Sequence, residues 1–253
     1  MIQLKSQREL EIMARGGRIL AACHAEVATH IRPGVSTLDI DRVVEDFIRS
    51  HAGAVPAFKG LYGFAGSACL SINEEIVHGI PSPKRVLREG DLLSVDIGVK
   101  YEGMYTDAAY THGVGRVDDE AERLLDATRR SLDAGIAATI VGNHIGDIGH
   151  AVQSVVEAAG FSVVRELVGH GVGFVLHEDI QVPNHGKPKR GPKLMAGMTL
   201  AIEPMVNVGT AATRTLADKW TIVAADGKRS AHFEHTVAVT ADGPRVLTLP
   251  AAA

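Results

Sequence analysis

The apolar positions along the chain follow two rhythms, one helical and one strand-like. Ser6 and Glu9 form a capping box, and behind them Ile12, Gly16, Ile19, Leu20, Cys23 and Val27 recur at helical spacing until Pro33 and Gly34 stop the run. A second helix starts at Ser36 or Thr37, turns Ile40, Val43, Val44, Phe47 and Ile48 inward, and ends over 53–56. A third covers 118–140 on a stripe of Leu124, Leu125, Thr128, Leu132 and Ile136, and a fourth, capped by Asp147, ends at Gly160. A glycine-rich stretch over 59–67 leads into an alternating segment over 69–77. Strand-like runs occupy 92–100, 104–112, 161–166, 200–206, 220–224 and 233–240. Helices, then strands, then helices, then strands again is the order of an α+β layout. A shared pattern, G-x-x-L-x-[VI]-[DE], at 90–96 and 197–203 points to a duplicated half-domain.

At 253 residues the chain is close to the size at which one core stops growing, so a single domain over 1–253 is expected. Twenty-six basic against 30 acidic residues give a net charge of −4, which excludes the broad positive footprint of a dedicated nucleic-acid binder. No apolar run is long enough for a membrane span, and the charged first ten residues do not read as a signal peptide, so a cytoplasmic location is expected. The basic run at 187–193 reads as a solvated connector. Cys23 and Cys69 are far apart and form no C-x-x-C pair, so a metal would have to be held by histidine and carboxylate.

Four acids sit where acids are costly. If 92–112 is a hairpin whose loop centres on Tyr101 and Glu102, Asp96 and Asp107 face each other directly. Like charges so placed repel, and a divalent cation would relieve them. The other readings are that both aspartates sit on a wet face, or that a loop centred on Glu102 and Gly103 slips the register by two and separates the pair, and the hairpin alone slightly favours these over a metal. Glu203 lies inside the apolar run Leu-Ala-Ile-Glu-Pro-Met-Val, and Glu234 inside a strand otherwise rich in apolar residues. His170 is set between glycines that let a ligand approach closely. Four carboxylates and one imidazole without thiolate suit a pair of divalent ions, and the chemistry such a pair supports is hydrolysis.

The segments SINEEIVHGIP (71–81), SVDIGVKYEGMYTD (94–107), GHGVG (169–173), HEDIQVPN (177–184), IEPM (202–205) and FEHTVAVT (233–240) together resemble the pita-bread metallopeptidases, specifically the short type I methionine aminopeptidases. The resemblance implies a pita-bread fold, a pseudo-two-fold antiparallel sheet with helices packed on its outer face. It implies two divalent ions (Co²⁺, Mn²⁺, Fe²⁺ or Zn²⁺) on Asp96, Asp107, His170, Glu203 and Glu234, with Asp107 and Glu234 bridging. Glu203, His78 and His177 would be catalytic: Glu203 as proton shuttle for a metal-bridging hydroxide, His177 on the scissile carbonyl, His78 on the peptide and the leaving group. Phe58, Leu61, Phe64, Cys69, Leu176 and Trp220 would line the methionine pocket. Leu61 and Phe64 stand where tyrosines are familiar, and Ile180 where a proline is common.

The activity implied is removal of the N-terminal methionine from nascent proteins, with small second residues preferred. The expected partners are N-terminal Met peptides, met at the ribosome, without a membrane or a dedicated nucleic-acid site, and the expected state is a monomer. The alternatives are an Xaa-Pro aminopeptidase or prolidase and a non-catalytic pita-bread binding module. The remaining histidines, His232 among them, read as ordinary core or surface imidazoles.

Overall fold

A computed structural model describes residues 2–250. Its helices begin largely where capping chemistry places them. Ser6 and Glu9 exchange the reciprocal hydrogen bonds that start α1 (Gln7–His30), and the Ser36 side chain caps α2 (Thr37–Arg49). Three short strands follow, β1 (Ala54–Pro56), β2 (Ala68–Ile72) and β3 (Glu75–Val77), then a long hairpin of β4 (Leu92–Tyr101) and β5 (Met104–Gly113). After α3 (Asp119–Ala137) and α4 (Ile145–Ala158) come β6 (Ser162–Val163), β7 (Val168–Gly171), β8 (Glu178–Pro183), β9 (Thr199–Ile202) and β10 (Met205–Asn207). The last five strands are β11 (Thr213–Thr215), β12 (Ile222–Ala224), β13 (Ser230–His232), β14 (Glu234–Thr240) and β15 (Gly243–Val246).

The main sheet runs β1-β4-β5-β14-β9-β7-β8, with β2 added to β4 and β15 to β14, and every pairing in it is antiparallel. Its middle repeats one motif on either side of the β5–β14 seam, β4-β5 on one side and β14-β9 on the other. The two segments that share the G-x-x-L-x-[VI]-[DE] pattern end in β4 and at the end of β9, so the sequence echo corresponds to this two-fold arrangement. Val95, Ile97 and Val99 of β4 pack into one core with Leu20, Val27, Ile40 and Val44 of α1 and α2. Leu200 and Ile202 of β9 and Val237 of β14 pack with Leu132 of α3 and Ile148 of α4. Strand alternation therefore turns Asp96 and the other intervening residues away from the helices.

Several boundaries differ from the sequence expectation. Asp147 is not the cap of α4. The helix begins at Ile145, and the Asp147 carboxylate accepts the His144 N–H at 2.7 Å from three residues inside. The run 200–206 is divided because Pro204 has no N–H to donate to a ladder, and 161–166 contributes only the two residues of β6. The basic stretch 187–193 is exposed, as a connector should be, and its Arg190 and Pro192 carbonyls accept the first N–H groups of α4.

The β4–β5 register is the one with the later loop. Tyr101 pairs with Met104, Gly98 with Asp107 and Asp96 with Ala109. Glu102 and Gly103 are the two loop residues, and both have positive φ, 46° and 89°. This is the geometry of a tight turn whose twist matches the flanking strands. Asp96 and Asp107 are thus diagonal neighbours, not directly opposed, yet an offset of two keeps them on one face instead of separating them. The turn fixes that placement, so it should be sensitive at one position only. Gly103→Ala is expected to lower stability by about 1–2 kcal/mol, the cost of a left-handed non-glycine residue. Glu102→Asn should be neutral or slightly stabilising, and urea denaturation of both variants measures the difference.

Candidate metal centre and adjoining pocket

The cleft face of the sheet gathers acids from separate strands. Asp107 comes from β5, Glu234 from the start of β14, Asp96 from β4, and Glu203 from the Glu203–Pro204 break after β9. Two of them are also held through their backbones by side chains. The Thr236 hydroxyl accepts the Asp107 N–H at 2.9 Å and donates to the Asp107 carbonyl at 2.8 Å, and the Asn184 amide donates to the Glu203 carbonyl at 2.9 Å. His170 lies in β7, at a register shift against β8, an irregularity that re-aims a side chain. Its Nδ1 lies 2.9 Å from the Gly171 carbonyl and donates to it, which leaves Nε2 as the lone-pair nitrogen. That Nε2 is 3.9 Å from Asp107 Oδ2 and 3.6 Å from Glu203 Oε1.

The electrostatics of the bare cluster are unfavourable. Burial pushes Asp96, Glu203 and Glu234 well above the usual carboxylate range, with repulsion from Asp107 adding to each. Burial raises Asp107 to about 7. The same burial lowers His170 to about 4, so its imidazole is neutral and able to ligate. Asp96 Oδ1, Asp107 Oδ1 and Glu234 Oε1 are buried without a hydrogen-bond partner. Buried acceptors left unsatisfied in this way fit a divalent cation, and the donor set of carboxylate oxygens and imidazole accepts one. Among the described residues, two donor sets lie close enough to hold an ion: Asp107, His170 and Glu234 in one, Glu203, His232 and Glu234 in the other, with donor atoms within 4.8 Å of one another.

His232 belongs to this cluster, contrary to its reading as an ordinary imidazole. A signal for it exists in the sequence: His232 and Glu234 are two apart, the spacing that puts side chains on one face of an extended chain. The interruption at Phe233, between β13 and β14, hides that pattern from a strand assignment that starts at 233.

A cavity of about 540 Å³ opens beside the acids and is lined by all six residues expected to form the apolar pocket. Phe58, Phe64, Cys69 and Leu176 are buried together, with Leu61 and Trp220 packed against them. Cys69 is the β2 partner of Asp96, so the pocket wall and the carboxylate cluster share one pair of strands. Phe58 packs closely against β4 because Gly98 carries no side chain. A Cβ there would come within 2.6 Å of the ring. The Cys69 thiol is held well above its ordinary pKa by burial and by Asp96, which keeps it neutral. Ile180 also lines the cavity.

His78 and His177 stand at the cavity as well. His78 follows β3 with φ 60°, an uncommon conformation for a non-glycine residue, and its ring meets Trp220 edge-on at 6.4 Å. The His177 ring meets His170 edge-on at 4.5 Å and stacks with Tyr62 at 6.2 Å. Burial lowers the pKa of both histidines, favouring neutral rings with one N–H to give. The segment carrying His177 is anchored by Glu178, which accepts from the Phe174 N–H at 3.0 Å and pairs with buried Lys5 at 2.5 Å.

A protein-family model described as metallopeptidase family M24 matches residues 11–241. The chain belongs to that family. Among its members, the chain is 52% identical to methionine aminopeptidase 1 of Bacillus subtilis (strain 168) over 98% of its own length and 99% of that protein. It is 48% identical to methionine aminopeptidase 1 of Mycobacterium tuberculosis over 98% and 96%. The crystal structure of the Thermotoga maritima methionine aminopeptidase superposes with a TM-score of 0.96 at 44% identity, covering 98% of this chain and all of that one. A prolidase from Pyrococcus horikoshii shares the fold, with a TM-score of 0.78 at 19% identity over 98% of this chain and 63% of the prolidase. The pita-bread architecture expected from sequence is the fold of the family, and membership implies a divalent-metal-dependent hydrolase.

The raised carboxylate pKa values set the pH dependence of metal stabilisation. Acids whose folded pKa is raised hold protons that an ion must displace, so the ion's contribution grows as pH climbs through about 7, the Asp107 value. His170, already neutral above about 4, contributes nothing to that slope. The rise in melting temperature on adding Mn²⁺ to chelator-treated protein is expected to widen between about pH 5.5 and about pH 8. Scanning calorimetry measures it, and an increment independent of pH would contradict this account.

Proposed function

We propose that residues 1–253 form one catalytic domain that removes the N-terminal methionine from peptides and nascent proteins, with small second residues preferred. The choice of methionine is carried by the likeness, over nearly the whole chain, to bacterial methionine aminopeptidases. The chemistry of the cavity supports it, because an apolar pocket of Phe58, Leu61, Phe64, Cys69, Leu176 and Trp220 suits an unbranched thioether.

Asp96, Asp107, His170, Glu203 and Glu234 would hold two divalent ions, Co²⁺, Mn²⁺, Fe²⁺ or Zn²⁺. Bound there, such ions would lower the pKa of water towards neutrality and draw charge from a carbonyl oxygen. The rest falls to side chains of the chain itself. The pocket seats the methionine side chain and so fixes the first peptide carbonyl beside the acids. Glu203 takes a proton from the attacking water, whose oxygen adds to that carbonyl carbon. Its side chain is 13% exposed, against 5% for Asp107 and 2% for Glu234, so it is the one of these three with most access to the cavity. His177 donates its ring N–H to the oxygen on which negative charge develops. As the C–N bond breaks, the proton taken by Glu203 passes to the departing amine, with His78 hydrogen-bonded to the peptide beside it. Methionine and the shortened peptide are the products.

Two measurements test this reading. Metal-loaded protein is expected to release methionine from Met-Ala peptides and to leave Ala-Pro intact. Cleavage of Ala-Pro alone would mean a prolidase, and cleavage of neither, with Co²⁺, Mn²⁺ or Fe²⁺ supplied, a binding module. Glu203→Gln should fold normally and lower kcat by roughly 10²–10⁴, the usual contribution of a positioned acid-base group. Turnover near that of the unmodified protein would remove Glu203 from the reaction.

A further inference from the structure

We infer that His232 is a further ligand of the metal centre, binding through Nε2 at a position it shares with Glu203 and Glu234. The inference rests on the metallopeptidase reading and adds a residue to its centre. His232 is 1% exposed, and neither of its ring nitrogens has a hydrogen-bond partner among the described residues. A buried polar ring without a partner calls for an explanation. Its Nε2 lies 3.6 Å from Glu203 Oε2 and 3.9 Å from Glu234 Oε2. Both distances exceed a hydrogen bond, and they lie near the roughly 3.4 Å between donors on one tetrahedral ion with bonds of about 2.1 Å.

The backbone, not the ring, does the positioning. The His232 N–H donates to Thr111 Oγ1 at 2.8 Å, and that hydroxyl donates back to the His232 carbonyl at 2.8 Å. On its other side, His232 pairs with Met205, two residues beyond Glu203. A ring aimed at two carboxylates by its main chain, and tied by none of its own atoms, is arranged to accept something between them. The resulting centre has two donor sets joined by Glu234, each with two carboxylates and one imidazole, His170 in one and His232 in the other. A second imidazole shifts preference towards ions that favour nitrogen, Co²⁺ and Zn²⁺ over Mn²⁺.

The test is calorimetric titration of chelator-stripped full-length protein with Co²⁺ and, separately, Mn²⁺. It compares unmodified protein, His232→Gln, His232→Ala and, as a reference, His170→Ala. His232→Gln and His232→Ala are expected to weaken Co²⁺ binding at one site by at least the roughly tenfold that even outer-sphere partners contribute. The loss for Mn²⁺ should be smaller, and the visible spectrum of the bound Co²⁺ should change. Proton NMR of Co²⁺-loaded unmodified protein requires no variant. Two hyperfine-shifted, exchangeable ring N–H signals are expected, one from each ligating histidine.

Co²⁺ affinity and spectrum unchanged in both His232 variants, while His170→Ala loses affinity, would overturn the role of His232 and leave the metallopeptidase reading intact. A single ring N–H signal would do the same. Unmodified protein that bound neither ion would overturn the metal reading itself, and this ligand with it.

Discussion

Mutual repulsion among four buried carboxylates is the constraint to which the rest of this molecule answers. Asp96, Asp107, Glu203 and Glu234 would each prefer water, and without a cation burial holds all of them towards their protonated forms, with repulsion from Asp107 adding at Asp96, Glu203 and Glu234. Such a cluster is tolerated only where the surrounding structure is strong enough to impose it. The fold supplies that strength in pieces. Apolar residues flanking the acids along β4 and β14 pack into two helix-backed cores, and a hydroxyl and an amide side chain fix the backbones of Asp107 and Glu203. Affinity for a cation is the counterpart of that imposed cost.

The two-fold arrangement of the sheet explains why the cluster converges at all. With β5 and β14 side by side, and β4 and β9 as their outer neighbours, equivalent positions in the two halves deliver acids to one cleft from opposite directions. The helices cannot intrude, since strand alternation reserves the other face for them. The threonine clamps follow a related logic across the seam: Thr236 on β14 holds Asp107 of β5, and Thr111 on β5 holds His232, just ahead of β14. Neither half can form its share of the centre without the other.

Much of this was legible in the sequence, and the gaps have identifiable causes. Capping chemistry located α1 and α2, and acids in apolar strands marked the cluster. The family resemblance, rather than periodicity, assembled the apolar pocket, whose members are scattered from Phe58 to Trp220. The hairpin register needed the knowledge that both Glu102 and Gly103 take positive φ. Strand periodicity is blind to that choice, because a slip of two leaves every side chain on its original face. The start of α4 departs from the sequence expectation because an aspartate inside the first turn and one at the cap leave similar traces. His232 escaped because the chain changes sheets at Phe233, pairing with Met205 before it and with Ala109 after it. Alternation counted within one strand does not cross such a break.

That change of sheets is also what sets the depth of the cleft. At Glu203–Pro204 the chain leaves the nine-stranded sheet for the small one formed by β13, β10 and β6, and at His232–Phe233–Glu234 it returns from the small sheet to the large one. The two breaks are neighbours, joined through the Phe233 N–H and the Pro204 carbonyl at 3.3 Å. A continuous strand at either place would carry the ladder and its alternation straight on within one sheet. With both broken, Glu203, His232 and Glu234 line the wall of the cavity side by side. Proline at 204 therefore does more than interrupt a strand: by removing one donor from the ladder, it leaves the carboxylate before it at the wall of the cavity.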